Sequence, residues 1–386
     1  MADGRVVLVV ENETVPADRR VWWEAATLRD AGWEVCILAP RRAEPPEEVR
    51  DGIRIRRLRW PDEPRIGAHA VEYSVAMAVI GVALHQEWRR ERFDVVHVAS
   101  PPDLIALLGV PYQRHGARLV FDHHDLSPEL WVAKGGHDGG RVHRALLRVE
   151  RRVVETADVV VSANATYRET VLGRSAADPA KMRVALNGVD LAAYRDPSEV
   201  FAREPWSTVL GYVGSMGSQD GLDTAVRAVA DLVGRGLDVG AVFAGDGAVH
   251  AECEALGREL GVGERLRWLG AIPHESVPAF LHSVDIGLSP DPPNPFNHQS
   301  TMIKTLEYMA AGLPIVAHDL VETRRICGDA AIYAHGGSFH DLADAAEQLV
   351  ASADRRASCA EASRRRAPAH DRAASVGALL AAYDIL

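Results

Sequence analysis

Residues 209–244 read VLGYVGSMGSQDGLDTAVRAVADLVGRGLDVGAVFA. An apolar run, Val209–Val213, is followed by a glycine-containing loop, a helical pattern over Leu222–Gly234 and a second apolar run, Val239–Ala244. Strands that are apolar nearly throughout are typical of parallel sheets whose two faces are both covered by helices. This stretch therefore predicts a strand–helix–strand unit of a parallel sheet.

The same order opens the chain. Val6–Val10 is an apolar run, Arg20–Asp30 has a helical pattern that Gly32 ends, and Glu34–Ala39 is a second apolar run. Two such beginnings, roughly 200 residues apart, predict an α/β protein with two tandem doubly wound, Rossmann-like domains facing a cleft. The length of 386 residues agrees with this, because it is too great for one ordinary core.

Further apolar runs predict the remaining strands and the domain limits. The strands are Ile53–Leu58, Val95–Val98, Leu119–Asp122, Val159–Ser162, Met182–Leu186, Leu266–Leu269, Ile286–Ser289, Ile315–Ala317 and Ala331–Tyr333. We predict an N-terminal domain over 1–190, a linker over 191–207, and a C-terminal domain over 208–365. The tail over 366–386 is predicted to form a helix that packs back on the N-terminal domain.

The composition excludes several classes of protein. A net charge of -11 argues against general binding of nucleic acid, which needs a basic face. The four cysteines are scattered without a CxxC pair, so reduced thiols are expected rather than a zinc site or a disulfide framework. The first residues lack the apolar segment of a signal peptide, and no uncharged run is long enough to span a bilayer. These features predict a cytoplasmic protein.

Residues 297–317, NHQSTMIKTLEYMAAGLPIVA, predict a polar loop, a helix and a short strand. Two faces follow from helical spacing: Ser300, Lys304, Glu307 and Ala311 on one, and Ile303, Leu306 and Ala310 on an adjacent apolar face. A helix N-terminus stabilises an anion such as phosphate, and Lys304 adds a full positive charge. Glu307, one turn further on, could accept hydrogen bonds from a vicinal diol such as ribose. The polar face thus suits a nucleotide sugar, although a surface ion pair between Lys304 and Glu307 has the same spacing.

Motifs along the chain favour the nucleotide-sugar interpretation. They are PADRRVWWEAATLRDAGWEV from residue 16, FDHHDLSPELW from 121, NGVD from 187, GYVGSMGSQDGLD from 211, FAGDG from 243, WLGAIPHESVPAFLHSVDIGLSP from 268 and STMIKTLEYMAAGLPIVA from 300. In this order they resemble the family 4 glycosyltransferases, the retaining enzymes of GT-B fold, and within them a subgroup with DHHDLSPEL and STMxKxxEYMA motifs. The resemblance implies transfer of a sugar from a nucleotide-diphosphate donor, with UDP the commonest nucleotide, to a hydroxyl group without a metal cofactor. The acceptor could be a glycan, a lipid-linked sugar or a small molecule.

The resemblance also assigns a set of donor-binding residues. They are Gly214, Met216, Gly217, Asp246, Ile272, Gln299, Ser300, Thr301, Met302, Lys304 and Glu307. Two departures from the family stand out. Gln299 replaces the first carboxylate of Glu-x7-Glu, and Met216 and Asp220 occupy the places of the usual Arg and Lys that hold the diphosphate. Lys304 could compensate for these losses. Asp246 could instead be a turn residue.

The segment FDHHDLSPEL supplies the first domain's candidates. The resemblance makes His124 a catalytic residue, and Lys304 and Glu307 are the other catalytic candidates. Positions at strand ends and helix starts place a further set on the acceptor side: Asp18, Arg19, Arg20, His123, Asp125 and Glu129. Other interpretations stay open. The Asp-His-His-Asp run could bind a metal, His124 could cap a helix or be packed, and Asp125 and Glu129 could be ordinary first-turn carboxylates. The two arginines could belong to a solvated helix start.

A basic helix is predicted in the first domain. At 100° per residue, Arg141, Arg144, Arg148, Arg151 and Arg152 fall within about one third of the circumference, opposite Val142, Leu146 and Val149. This face could make peripheral contact with an anionic membrane, at its inner surface, or could be an ordinary solvated face.

Two other functions fit the same fold. A non-hydrolysing nucleotide-sugar epimerase would convert the donor without an acceptor, and a catalytically silent subunit would bind a nucleotide sugar without turnover. Absence of Asp-x-Asp from the chain argues against a metal-dependent glycosyltransferase of the other major fold. The pattern leaves open a monomer or a homodimer, the donor base and sugar, the acceptor, and the groups that hold the diphosphate.

Overall fold

The computed structural model describes residues 4–59, 69–195, 197 and 201–386. Contacts divide the chain into two compact units, here called unit 1 (Met1–Asn187 with Ser375–Leu386) and unit 2 (Gly188–Ala374). Both are built from a parallel sheet with helices, so the predicted α/β class with two doubly wound domains is confirmed. The four cysteines are free thiols, each buried.

Unit 1 contains a sheet of eight strands in the order β3-β4-β2-β1-β5-β6-β7-β8. The strands are β1 Arg5–Val9, β2 Glu34–Pro40, β3 Glu47–Arg50, β4 Ile53–Leu58, β5 Val95–Ala99, β6 Arg118–His123, β7 Val159–Ser162 and β8 Met182–Val184. The helices are α1 Arg19–Asp30, α2 His69–Arg90, α3 Val110–Gln113, α4 Ser127–Ala133, α5 Arg141–Thr156 and α6 Ala165–Arg174. Every pairing is parallel except that of β3 with β4.

Both faces of this sheet are buried. Because successive strand residues point to opposite faces, Val7 and Val9 belong to one hydrophobic core and Val6 and Leu8 to another. The second core includes Tyr383. A covered sheet of this kind explains why its strands are apolar at nearly every position.

Unit 2 contains a parallel sheet of six strands in the order β11-β10-β9-β12-β13-β14. The strands are β9 Thr208–Val213, β10 Val239–Ala244, β11 Leu266–Gly270, β12 Ile286–Ser289, β13 Ile315–His318 and β14 Ala331–Ala334. The helices are α7 Leu222–Gly234, α8 His250–Glu259, α9 Val277–Leu281, α10 Ile303–Ala310, α11 Val321–Cys327, α12 Phe339–Val350 and α13 Ala353–Arg366, with α14 Arg372–Tyr383 crossing into unit 1. The strand order reverses between β9 and β12, and ligands of such sheets bind beyond the carboxyl ends of the strands at this switch point.

Tyr308 attaches α10 to the switch point. A Cβ on Gly287 in β12 would lie 2.5 Å from the Tyr308 ring, so only a glycine lets the helix approach this closely. The Tyr308 hydroxyl accepts a hydrogen bond from the Val213 N–H at 3.2 Å and donates one to the Leu288 carbonyl at 3.0 Å. The helix that carries Lys304 and Glu307 is thereby fixed to both central strands.

Three features of the fold differ from the sequence predictions. The strand β3 was missed, because its sequence EEVR is polar and exposed, as an edge strand can be. Ile303 was expected on a core face and is 43% exposed. Helix α10 begins at Ile303 rather than near Ser300.

The division into units lies between residues 187 and 188, whereas the predicted domain limit is residue 190. The predicted linker, 191–207, begins with a 3-10 helix, Leu191–Tyr194, and the Tyr194 side chain is buried in a core of unit 2. Residues 196 and 198–200 of that linker lie outside the described residues. In the tail, Leu379, Ala382 and Tyr383 of α14 are buried in unit 1.

Candidate active site

Lys304 lies in the first turn of α10, at the switch point of unit 2. Its side chain is only 8% exposed, and its ammonium nitrogen lies 2.6 Å from Asp291 Oδ1 and 3.9 Å from Asp220 Oδ1. The Tyr212 ring is 4.9 Å away, a cation–π distance. Burial lowers the pKa of Lys304, but the two carboxylates outweigh this effect and raise it. The lysine is therefore charged and already paired with acidic groups.

Asp220 lies in the loop between β9 and α7. Its carboxylate accepts a hydrogen bond from the Gly217 N–H at 2.8 Å and one from the Gln219 amide at 3.3 Å. Burial raises the pKa of Asp220 in spite of the nearby Lys304. Gly217 was predicted to offer its backbone N–H to a diphosphate, and in the structure that N–H is bonded to Asp220.

Gly214, the other glycine of this loop predicted to bind the donor, has its N–H bonded as well. The Gly214 N–H donates to the Ala244 carbonyl at 3.1 Å. Met216 is fully buried in a core, with its N–H bonded to the Asp246 carbonyl and its carbonyl to the Val249 N–H. Its side chain therefore faces the core, and a role of Met216 in donor binding stays a prediction.

Glu307 lies one turn beyond Lys304 and is 6% exposed. The Tyr194 hydroxyl donates to Glu307 Oε1 at 3.1 Å, and His274 Nδ1 lies 3.7 Å from the same oxygen. Tyr194 and His274 were not among the predicted site residues, because nothing in their spacing connects them with Glu307. The carboxylate is held in place by these neighbours.

The loop before α10 places the remaining predicted donor residues off the helix. Ser300 donates to the Phe296 carbonyl at 2.9 Å, and Thr301 donates to Glu322 Oε1 at 3.1 Å. The Gln299 amide donates to the Pro295 carbonyl at 3.0 Å, and Met302 is the residue that caps the helix. Of the predicted face of Ser300, Lys304, Glu307 and Ala311, only Lys304 and Glu307 lie within the helix, because Ala311 is its C-cap residue.

Two further predicted residues lie at the ends of β10 and β11. Asp246 is exposed and accepts hydrogen bonds from the Gly247 N–H at 2.8 Å and from His250 Nδ1 at 2.9 Å, which is the behaviour of a turn residue. Ile272 is half-buried against a core of unit 2. Their roles toward a donor stay predictions.

In unit 1, His124 follows β6 and is partly buried. Its Nε2 is hydrogen-bonded to the carboxylate of Asp122, which also accepts hydrogen bonds from Arg20 at 2.8 and 3.1 Å. Burial acts to raise the pKa of Asp122, but Arg20 and His124 overcome it and hold that pKa well below its usual range. A permanently charged carboxylate thus fixes one ring nitrogen of His124, as in other sites where a carboxylate orients a histidine.

A buried polar cluster, which the sequence analysis did not predict, adjoins Asp122. His97 Nδ1 is 2.8 Å from the Tyr383 hydroxyl, and His97 Nε2 is 3.7 Å from carboxylate oxygens of both Glu24 and Asp122. Burial raises the pKa of Glu24 well above its usual value, and the charge of Asp122 adds to this effect. These side chains come from positions 24 to 383, so spacing in the sequence could not bring them together.

Most residues predicted on the acceptor side are engaged within unit 1. Asp18 caps α1 by accepting the Val21 N–H at 3.0 Å, and buried Arg20 also donates to the Ala185 carbonyl at 2.7 Å. Glu129 accepts hydrogen bonds from Arg174 at 2.7 and 3.3 Å, and the Tyr167 hydroxyl donates to Asp125 at 3.4 Å. Arg19 remains exposed at the start of α1.

His123 was predicted at the edge of the site and is instead fully buried as the last residue of β6. Its Nε2 lies 3.7 Å from Glu150 Oε1. Burial acts to lower the pKa of His123, but Glu150 outweighs it and raises that pKa. The two adjacent histidines therefore point to different carboxylates, so the Asp-His-His-Asp run is not arranged around one ion.

Among the residues that the structure describes, the group suited by distance to a metal is Glu24, His97 and Asp122, whose ligand atoms all lie within 4.8 Å of one another. A cation there would compete with Arg20, which already donates two hydrogen bonds to Asp122.

The predicted basic face of α5 is exposed along its length. Its members are Arg141, Arg144, Arg148, Arg151 and Arg152. Val142, expected on the opposite apolar side, is itself 48% exposed, whereas Leu146 and Val149 are half-buried. No helix in the described part of the chain is both long and apolar enough to cross a bilayer.

Comparison with known proteins agrees with the two-unit architecture. A glycosyl transferase 4-like domain model matches residues 17–188, and a model of glycosyl transferases group 1 matches residues 207–352. A glycogen synthase of Mycobacterium tuberculosis is 26% identical over 329 residues, which are 78% of this chain and 74% of the relative. Fold and sequence together define a sugar-transferring enzyme of GT-B architecture. The chain belongs to the family 4 glycosyltransferases.

Solved structures share the whole fold. Sucrose-phosphate synthase from Thermosynechococcus elongatus superposes with a TM-score of 0.80 at 17% identity, over 98% of both chains. Anabaena HepE, solved in complex with UDP-glucose, superposes with a TM-score of 0.71 at 14% identity, over 99% of this chain and 100% of that one. At such identities the likeness concerns the fold.

Proposed function

We propose that the protein is a retaining glycosyltransferase that moves a sugar from a nucleotide-diphosphate donor, with UDP as the expected nucleotide, to a hydroxyl group. The observation that carries this proposal is the position of Lys304 and Glu307 on α10, which Tyr308 attaches at the switch point of unit 2. A solved relative in fold that contains UDP-glucose supports the same class of donor.

In this proposal unit 2 binds the nucleotide. The charge of Lys304 and the N-terminus of α10 stabilise the negative charge that develops as the nucleoside diphosphate leaves. Glu307, oriented by the Tyr194 hydroxyl, accepts hydrogen bonds from the ribose. In unit 1, Asp122 orients the ring of His124, and a catalytic role toward the transferred sugar is assigned to this histidine.

Retention follows if the acceptor attacks from the face that the diphosphate leaves. A phosphate oxygen then takes the acceptor proton, so the chain needs no nucleophile of its own. No metal is required in this scheme, since Lys304 and backbone N–H groups take the role that a divalent cation has elsewhere.

The test is a thermal-shift screen of the whole protein with UDP, GDP, ADP and dTDP, with and without magnesium. A nucleotide at about 100 times its dissociation constant should add roughly 2.7 kcal/mol to the free energy of unfolding. Stabilisation by one nucleotide without magnesium supports the proposal and identifies the base. Stabilisation by none of the four would refute it.

A catalytically silent nucleotide-sugar-binding protein is the second candidate. It is favoured by the pairing of Lys304 with two carboxylates, which reduces the positive charge available to a leaving diphosphate. The two candidates differ in turnover. An enzyme transfers the sugar to water or to an added acceptor and releases the nucleoside diphosphate, which can be measured. Binding of the nucleotide sugar without this release identifies the silent protein.

A further inference from the structure

The charges at the switch point of unit 2 do not suit an anion as they stand. Lys304 carries one positive charge, and Asp291 and Asp220 can carry one negative charge each. With both carboxylates ionised the cluster has a net charge of -1. A sugar ester of a nucleoside diphosphate carries two negative charges of its own, so its approach would be opposed by electrostatic repulsion.

Asp291 is the more tightly held of the two carboxylates and stays paired with Lys304. It is 1% exposed, lies 2.6 Å from the Lys304 ammonium, and accepts a hydrogen bond from the Ser289 hydroxyl. Removing a carboxylate from a buried ammonium at this distance would leave an uncompensated buried charge. We therefore treat Lys304 and Asp291 as a fixed ion pair.

Asp220 is held differently. It accepts the Gly217 N–H at 2.8 Å, lies 3.9 Å from Lys304, and keeps 16% of its side chain exposed. A loop N–H next to an ammonium is an arrangement that otherwise binds phosphate oxygens. In the free protein, a carboxylate of the chain itself occupies that arrangement.

We propose that Asp220 is an internal anion in the phosphate position, and that a nucleotide-diphosphate donor binds with the uptake of one proton by the Asp220 carboxylate. The proposal rests on the proposed function and makes Asp220 the residue that sets the pH range of donor binding. The proton comes from solvent and converts the carboxylate into a carboxylic acid, which can donate its O–H to a phosphate oxygen. No covalent bond of the donor changes in this step.

The groups around Asp220 indicate the sign of the pH dependence. Lys304 of α10 and Asp291 after β12 face it with charge, Tyr212 of β9 faces it with a hydroxyl, and the amide of Gln219 contacts it from its own loop. Burial raises the pKa values of Tyr212 and Asp220, so Tyr212 stays neutral while the pKa of Asp220 moves toward neutrality. A bound diphosphate would raise the Asp220 pKa further. Between the free and the bound pKa values, affinity therefore increases as pH falls.

The experiment is calorimetric titration of the whole protein with UDP-glucose from about pH 5.5 to about pH 8.5, for wild type, Asp220→Asn and Asp223→Asn. If the screen above identifies another base, the glucose ester of that nucleotide replaces UDP-glucose. Such a diester has no terminal phosphate with a pKa of about 6, so its own charge is constant over this range. Asp223 is an exposed carboxylate three positions further along, which makes it a control for the loss of charge.

We expect the wild-type dissociation constant to rise with pH, by at most about tenfold per unit for one linked proton. Asp220→Asn should bind at least about tenfold more tightly than wild type at the alkaline end and lose the pH dependence. Asp223→Asn should behave as wild type, and uridine, which lacks phosphates, should bind all three proteins without pH dependence.

Three outcomes would overturn the inference alone: affinity of the wild type independent of pH, an Asp220→Asn variant that binds no more tightly, or binding that needs magnesium and is lost in that variant. The last would make Asp220 a metal ligand instead. Failure of wild type and variants to bind any of the nucleotides would refute the proposed function, and the inference with it.

Discussion

Glu307 is held between Tyr194, whose hydroxyl is 3.1 Å from Oε1, and His274, whose Nδ1 is 3.7 Å from the same atom. If this carboxylate binds ribose, its removal affects every ligand that contains the nucleoside. Lys304 would act only on ligands with phosphates. The two residues can therefore be separated by comparing a nucleoside with its diphosphate.

We predict that Glu307→Ala weakens binding of both UDP and uridine by about tenfold or more, the value of one or two hydrogen bonds to a charged group. Lys304→Ala should weaken binding of UDP but not binding of uridine. Calorimetric titration measures both, with Glu252→Ala, an exposed carboxylate on α8, as the control. Equal affinities in wild type and the two variants would show that α10 does not carry the donor site.

Glu24 predicts an unusual pH dependence of stability. Its pKa is raised from 4.5 in the folded protein by burial and by Asp122. Above the unfolded pKa the folded state binds a proton that the unfolded state lacks, so the free energy of unfolding falls as pH rises toward the raised folded pKa. We expect Glu24→Gln to abolish this part of the pH dependence and to be more stable than wild type near pH 8.

Urea unfolding at a series of pH values measures this effect. Glu91→Gln, which changes an exposed carboxylate of unit 1, should follow the wild-type curve. Parallel curves for wild type and Glu24→Gln would mean that Glu24 is ionised in the folded protein.

Partners that are distant in the sequence could not be predicted for individual side chains. Lys304 was predicted to offer its charge to a phosphate or to pair with Glu307, and its actual partner Asp291 was missed, because it is 13 positions away and reaches the lysine only through the fold. The cluster of Glu24, His97 and Tyr383 was missed for the same reason. Arg20, in contrast, was predicted to face a ligand, and in the structure it is bonded to Asp122.

The position of helix α10 against the sheet depends on the hydroxyl group of Tyr308. Tyr308 bonds to the Val213 N–H and the Leu288 carbonyl, the ends of the two strands that flank the switch point. We predict that Tyr308→Phe lowers the free energy of unfolding by about 1–3 kcal/mol, because a buried N–H loses its partner. It should also weaken nucleotide binding by moving α10. Urea unfolding and calorimetric titration test the two effects, and a variant with unchanged stability and affinity would contradict this account of the helix.

The loops after β9 and β10 depend on Gly245. Its φ is +145°, and a Cβ there would lie 1.8 Å from the Gly214 carbonyl oxygen. We predict that Gly245→Ala displaces the Gly214–Asp220 loop. Its affinity for UDP should fall by about tenfold or more, and its thermal stability should fall as well. Gly234→Ala in α7, where a Cβ meets nothing within 4 Å, should leave both properties unchanged or slightly improve stability. Equal UDP affinity in Gly245→Ala and wild type would contradict the prediction.

Elements with a buried apolar pattern were predictable, and polar ones were not. Strands β4, β7, β10 and β12 and helix α7 have the predicted limits. The strand β3 was missed because three charged residues and one exposed valine give no signal of period two. The start of α10 was placed too early, because Met302 has an extended backbone at the N-cap position and so separates Ser300 from the helix.

At the scale of the whole molecule, unit 1 is built from two separate parts of the chain. Leu379 of α14 is fully buried in a core of residues 6–185. We predict that Leu379→Ala lowers the free energy of unfolding of unit 1 by about 2–5 kcal/mol. Nucleotide affinity should change little, since the proposed site lies in unit 2. Ile385→Ala, at a position 41% exposed, is the control. Calorimetric unfolding with and without nucleotide measures both properties. A Leu379→Ala variant whose unit 1 unfolds at the wild-type temperature would contradict the prediction.

The placement of α14 also has a consequence for synthesis on the ribosome. The core of unit 1 that includes Val6 and Leu8 lacks Leu379 and Tyr383 until the 187 residues of unit 2, Gly188–Ala374, have been translated. At roughly 5–20 residues per second this delay is about 10–40 s. Unit 2 is itself complete only at Ala374, directly before the last segment of unit 1. Throughout the delay the core of unit 1 lacks these side chains, and its uncovered apolar surface would be accessible to chaperones.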